Sequence, residues 1–150
     1  MFDRILILCT GNICRSPMAE ALLAHHLAVR KGGGRVECAG LAALVGQPAD
    51  PTAQALLWER HLDISGHRAR QVTAELLFAS DLVLVMETQQ QKGLEARYPE
   101  LRGKVHGVGK WCDFDVPDPY GQSRTAFLNS LVMIERGLAE WRRRLWHEVA

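Results

Sequence analysis

Residues 4–17 read Arg4-Ile5-Leu6-Ile7-Leu8-Cys9-Thr10-Gly11-Asn12-Ile13-Cys14-Arg15-Ser16-Pro17. The run Arg4 to Leu8 is apolar after its first residue and predicts a buried strand. Ser16 to Arg30 carries a helical pattern, and Pro17 suits its first turn, where a missing N–H costs nothing. Cys9 to Ser16 therefore joins a buried strand to a helix. Working outward, Arg35 to Ala39 predicts a short strand, Asp50 to His61 a helix and Thr73 to Ala79 a short helix. Asp81 to Met86 (DLVLVM) is an apolar run without helical period, the clearest further buried strand. Gln89 to Arg97 reads as a helix and Lys104 to Val108 as a short strand. A last helix starts near Ser123, with Phe127, Leu131, Ile134, Leu138, Trp141 and Leu145 on one face.

Strands separated by helices imply an α/β fold: a mainly parallel four-stranded sheet with helices on both faces. A length of 150 residues fits a single domain spanning 1–150, and Gly32-Gly33-Gly34 is too short a breaker to divide it. Ligands of such sheets bind beyond the carboxyl ends of the strands, where Cys9 to Ser16 lies.

The composition is that of an ordinary globular protein, with 47% hydrophobic and 23% charged residues. A formal net charge of +1 gives no bulk attraction to nucleic acid or membrane, so any anion site must be built locally. No membrane insertion is expected, since Asp81 interrupts the best apolar stretch, Leu76 to Met86. Met1 to Leu8 lacks a small-residue cleavage site and reads as a strand rather than a signal peptide. The four cysteines, Cys9, Cys14, Cys38 and Cys112, are too sparse for a disulfide scaffold, which points to a reducing cytoplasm. No zinc site is expected, because no second Cys pair and no His pair has finger spacing; no other cofactor is expected either.

The loop itself carries the chemistry. Its backbone N–H groups can curl into a cup at a helix N-terminus, which is an anion site. Gly11 allows a backbone angle closed to other residues. Arg15 offers a planar fork of donors for two phosphate oxygens. Cys9 lies at the base of the cup, where the same positive field favours a thiolate and draws a phosphate toward it. A nucleotide-binding loop is excluded, since no Lys stands where the Walker pattern requires it.

The stretch CTGNICRSP, together with Asp118-Pro119-Tyr120 about a hundred residues later, resembles the low-molecular-weight protein tyrosine phosphatase family. The resemblance runs in order along essentially the whole chain. It implies hydrolysis of phosphotyrosine through a phosphocysteine, with Cys9 as nucleophile, Arg15 binding phosphate and Asp118 as general acid. An acid is needed because a phenol, with a pKa of about 10, leaves poorly as an anion. Thr10, Gly11, Asn12, Ile13, Cys14 and Ser16 would line the phosphate loop. Asn12, Ser16 and His67 resemble residues that support it, His67 by orienting the Asn; Ser16 also suits a helix cap. Tyr120 would stack on the substrate phenol. Many relatives have an aromatic opposite wall, whereas Gly40 to Gly46 is aliphatic here, which places Leu44 at that wall. Trp111 is a further candidate for the rim, although a Trp is more often found in the core or an interface. The aliphatic wall resembles the bacterial branch associated with capsule and exopolysaccharide export, whose implied partner is an autophosphorylating tyrosine kinase. Cys14 is either packing or a resolving thiol that forms a disulfide with an oxidised Cys9, as the resemblance to relatives with a second Cys suggests.

Three other readings stay open at this point. An arsenate reductase needs two further midchain cysteines, and none lies between Cys38 and Cys112. Protein arginine phosphatases resemble this loop but carry Thr where Ile13 stands. A non-catalytic phosphate-binding or phosphocarrier module would need no acid at Asp118.

Overall fold

The computed structural model describes residues 2–28 and 34–146. The expected breaker at Gly32-Gly33 and the expected end of the first helix at Val29-Arg30 lie outside the described residues. The elements are β1 (Arg4–Cys9), α1 (Arg15–Ala28), β2 (Arg35–Gly40), α2 (Pro51–Trp58), α3 (Ala74–Ala79), β3 (Leu82–Val85), α4 (Thr88–Arg97), β4 (Val105–Gly107) and α5 (Arg124–Leu145). Two 3₁₀ turns that the sequence pattern did not signal, Pro99–Leu101 and Lys110–Cys112, flank β4.

Local chemistry explains most boundaries. Asp50, Thr73 and Ser123 each accept a hydrogen bond from a backbone N–H of the first turn of α2, α3 and α5, respectively. Pro51 occupies the first turn of α2. The helix expected to reach His61 stops at Trp58. His61 adopts φ 63°, a left-handed conformation that cannot continue a right-handed helix. Glu87 and Gln90 form a capping box that opens α4.

All strand pairs are parallel and the order is β2-β1-β3-β4. β1 lies inside the sheet, its residues apolar on both faces. Ile5, Ile7 and Cys9 pack with α1, α2 and α5 in one cluster. Leu6 and Leu8 pack with Leu77 of α3 and Leu94 of α4 in the other. The period of two in a strand thus splits an unbroken apolar run between two cores. The chain leaves β1 for β2 on one side and returns to β3 on the other, so the carboxyl end of β1 faces a crevice. The end of β2 closes on that crevice through Gly40, where a Cβ would stand 2.7 Å from the Thr10 carbonyl oxygen.

Candidate active site

Cys9 ends β1, and the eight residues from it to Ser16 turn tightly into α1. Five consecutive carbonyls of this loop accept hydrogen bonds from outside it. Leu41, Ala42, Leu44 and Asp50 donate from their backbone N–H groups to the carbonyls of Cys9, Thr10, Gly11 and Ile13 at 2.8–3.0 Å. His67 Nε2 lies 2.6 Å from the Asn12 carbonyl. In a planar trans peptide the N–H points opposite to the C=O. Carbonyls turned outward therefore turn the N–H groups of Thr10 to Cys14 inward, which makes an anion-binding nest. Asn12 supplies the left-handed residue that such a curl needs, with φ 62°.

The side chains inside the ring are buried and mutually bonded. Asn12 Nδ2 donates to Ser16 Oγ at 2.8 Å and to Cys38 Sγ at 3.2 Å. Its Oδ1 accepts from the Arg70 backbone N–H at 2.9 Å. Ser16 Oγ lies 2.9 Å from Cys9 Sγ.

Arg15 is the largest of the fully buried side chains, at 1% exposure. Its Nη1 donates to Glu87 Oε2 at 2.7 Å and to the Val116 carbonyl at 2.8 Å. Its Nη2 reaches Thr10 Oγ1 at 3.4 Å and lies 3.8 Å from Asp118 Oδ2. Its Nε is buried without a hydrogen-bond partner. A buried cationic donor left unpaired is costly, so this edge of the guanidinium suits an anion held in the nest.

Cys9, Thr10, Gly11, Ile13, Cys14, Arg15, Ala42, Leu44, Asp118 and Tyr120 line one cavity of about 150 Å³. The sequence-derived residues Asn12, Ser16 and His67 sit behind it, holding the loop. Leu44 and Tyr120 stand at the mouth, 41% and 57% exposed. Asp118 Oδ1 accepts from the Tyr120 backbone N–H at 3.1 Å, and its carboxyl is otherwise open to the cavity. Trp111 is not brought to this rim. It packs edge-on against Trp141 at 5.4 Å, under the Arg144 guanidinium. Cys14 is a free thiol, as are the other cysteines. Burial pushes the Cys14 thiol far up, reinforced by the negative charges of Asp50 and Cys9.

Sequence reasoning missed Glu87 and Gln90, which hold Arg15 and Thr10, and Arg70 and Cys38, which hold Asn12. Glu87 had a usable signal, since it follows the strand DLVLVM at its carboxyl end.

The family model for low molecular weight phosphotyrosine protein phosphatases matches residues 4–150. The chain belongs to the low molecular weight phosphotyrosine protein phosphatase family. One relative within the family, the probable low molecular weight protein-tyrosine-phosphatase EpsP of Ralstonia nicotianae, is 45% identical over 94% of each chain. The crystal structure of the tyrosine phosphatase Wzb from Escherichia coli K30 with sulphate superposes with a TM-score of 0.89. It is 38% identical, over 97% of this chain and 99% of that one. Phosphatases of other specificity share the scaffold. The YwlE arginine phosphatase of Bacillus subtilis, with a phosphorylated active-site serine, gives a TM-score of 0.81 at 33% identity, over 95% of this chain and 97% of that one. The fold of this family therefore leaves specificity to the residues that line the cavity.

Proposed function

We propose that this protein-tyrosine-phosphatase works by two displacements at phosphorus on Cys9. The phosphate of a phosphotyrosine sits in the nest, two of its oxygens on Arg15. Cys9 Sγ attacks phosphorus and the bond to the phenolic oxygen breaks. Asp118, as the neutral acid, gives that oxygen its proton, so tyrosine leaves uncharged. Water then attacks the phosphocysteine, Asp118 takes a proton from it, and the S–P bond breaks to return the thiolate and inorganic phosphate. The hydrogen bond from Ser16 at 2.9 Å makes Cys9 a better leaving group in this second step. The observation that carries the reading is the buried sulfur of Cys9 lining the same cavity as Arg15 and Asp118.

Ile13 and Tyr120 support phosphotyrosine over phosphoarginine. Both line the cavity, where an apolar floor at Ile13 and an aromatic wall at Tyr120 suit a phenyl ring. In the cell we assign the substrate to phosphotyrosine proteins of the cytoplasm, among them an autophosphorylating tyrosine kinase of exopolysaccharide export. Among the described residues no helix is long and apolar enough to cross a membrane.

The test is phosphate release from matched phosphotyrosine, phosphoserine and phosphoarginine peptides. Phosphotyrosine should be turned over much faster than the other two. Preference for phosphoarginine would overturn the substrate assignment and leave the displacement chemistry standing.

A further inference from the structure

Behind the catalytic loop, side chains from three separate parts of the chain converge. Glu20 comes from α1, Cys38 from β2 and His67 from the segment between α2 and α3. A Glu20 carboxylate oxygen, the Cys38 sulfur and a His67 ring nitrogen lie within 4.8 Å of one another. The tautomer of His67 follows from its partner. Its Nε2 lies 2.6 Å from the Asn12 carbonyl oxygen, which can only accept, so Nε2 carries the proton. In the neutral ring the lone pair is then on Nδ1, which faces Cys38 Sγ at 4.0 Å. Metal-binding histidines are oriented in this way, by donating the other ring N–H to a carbonyl or carboxylate.

The cluster is also reachable. A surface groove lined by Pro17, Glu20, Asp63, Ile64 and His67, among others, opens beside it, while Cys38 itself is only 3% exposed. Ligand atoms around a tetrahedral zinc sit roughly 3.3–3.8 Å apart, given bond lengths of about 2.0–2.3 Å. Closing this cluster onto a cation therefore takes a side-chain movement on the order of 1 Å. One thiolate, one imidazole and one carboxylate suit a borderline-soft divalent ion rather than calcium or magnesium. The facing cation, Arg70, is held on the Cys38 carbonyl and paired with Glu37 at 3.0 Å.

We propose that Glu20, Cys38 and His67 form a binding site for Zn²⁺ or a similar cation, and that its occupancy loosens the catalytic loop. On binding, the Cys38 S–H bond breaks, an S–metal bond forms and the proton leaves to water; no electron changes hands. The shift of Cys38 Sγ toward the metal, on the order of 1 Å, draws it away from Asn12 Nδ2, whose hydrogen bond it now accepts at 3.2 Å. Asn12 also donates to Ser16, which in turn holds Cys9. Turnover then falls without any competition with phosphate. This second half rests on the phosphatase reading; the binding half does not.

The experiment separates the two halves. In a Cys9→Ser protein, titrated Co²⁺ should bind in one equivalent with a thiolate-to-cobalt absorption band in the near ultraviolet. Adding Cys38→Ser should abolish the band, whereas adding Cys14→Ala should leave it. Persistence of the band without Cys38, or its loss without Cys14, would overturn the site. For the otherwise native enzyme, Zn²⁺ should inhibit non-competitively with inorganic phosphate. Glu20→Gln, which removes a ligand remote from the cavity, should keep the uninhibited rate and raise the inhibitory Zn²⁺ concentration about ten-fold or more. Equal Zn²⁺ sensitivity of Glu20→Gln, or relief of inhibition by phosphate, would overturn the coupling. A native enzyme without phosphatase activity would remove the functional reading, and the cobalt titration would still decide the site.

Discussion

The phosphate loop, residues 9–16, and the acid segment, residues 117–120, face each other across one cavity and are built in opposite ways. Asn12, Arg15 and Ser16 are at most 1% exposed, and the loop carbonyls are tied to three neighbouring segments. Asp118 has a side chain 47% exposed, with a single backbone donor on its carboxyl and Arg15 Nη2 at 3.8 Å. Tyr120 is more exposed still. The difference suits the two tasks proposed above for the loop and for Asp118. Donors that stabilise charge on phosphorus act best when fixed before the substrate arrives. An acid that must later act as a base has to meet a bulky leaving group first and a water molecule second, which favours an open carboxyl.

The largest effect is expected from removing the proposed nucleophile, Cys9, from the rigid half. Cys9→Ser should abolish turnover while retaining phosphate binding, because the nest and Arg15 remain. Labelled phosphate trapped on the native enzyme should map to Cys9. Normal turnover by the serine variant would show that the rigid loop only binds.

The open half should respond more weakly and in a graded way. Asp118→Asn should slow phenyl phosphates by roughly 10²–10⁴-fold. The loss should shrink as the leaving group becomes a better anion, since less protonation is then needed. A loss independent of leaving-group pKa, measured across substituted phenyl phosphates, would make Asp118 structural and erase the functional contrast.

A third change sharpens the rigid half through stability. Glu87 neutralises a nearly inaccessible guanidinium, yet its own side chain is 36% exposed. Glu87→Ala should lower unfolding stability by about 1–3 kcal/mol, the cost of leaving a buried donor without its partner. Some relief comes from the solvent that reaches the Glu87 side, so the full cost of a buried pair is not expected. Denaturant unfolding checks this, and an unchanged midpoint would mean that the Val116 carbonyl and Thr10 suffice to anchor Arg15.

How far the sequence reaches follows the same division. β1 and β3 are legible as unbroken apolar runs buried on both faces, and α5 because its apolar residues recur every three or four positions. The loop is legible because Cys9, Gly11, Arg15 and Ser16 fall within eight consecutive residues, so the spacing itself is the geometry. Sets of residues assembled across elements are not legible. Glu87, just beyond β3, and Val116, in the loop before α5, meet at Arg15 from positions distant in sequence. Glu20, Cys38 and His67 share no finger-like spacing, so a search for paired cysteines or histidines passes over them. Trp111 takes the packed position usual for Trp rather than a place at the rim. An isolated aromatic near a motif does not reveal which face of the fold it joins, and here it joins Trp141 on α5.

The smallest expected effect divides Asp118 from its neighbour Tyr120, which the comparison so far treats as one segment. The backbone N–H of Tyr120 holds the Asp118 carboxyl at 3.1 Å, while its ring stands at the mouth of the cavity beside the aliphatic Leu44. Tyr120→Ala removes the ring and keeps the N–H, so the acid stays in place. An aromatic pair contributes about 0.5–1.5 kcal/mol beyond simple burial. The specificity constant, kcat/KM, for phosphotyrosine peptides should therefore fall by only about 2–13-fold. Tyr120→Phe keeps the stacking face and should match the native enzyme. The dependence on leaving-group pKa should be unchanged in both variants, because that dependence belongs to Asp118. If Tyr120→Ala instead reproduces the loss and the altered leaving-group dependence of Asp118→Asn, the ring is positioning the acid. The open segment would then owe its geometry to packing at the mouth, and the contrast with the hydrogen-bonded loop would be one of materials rather than of rigidity.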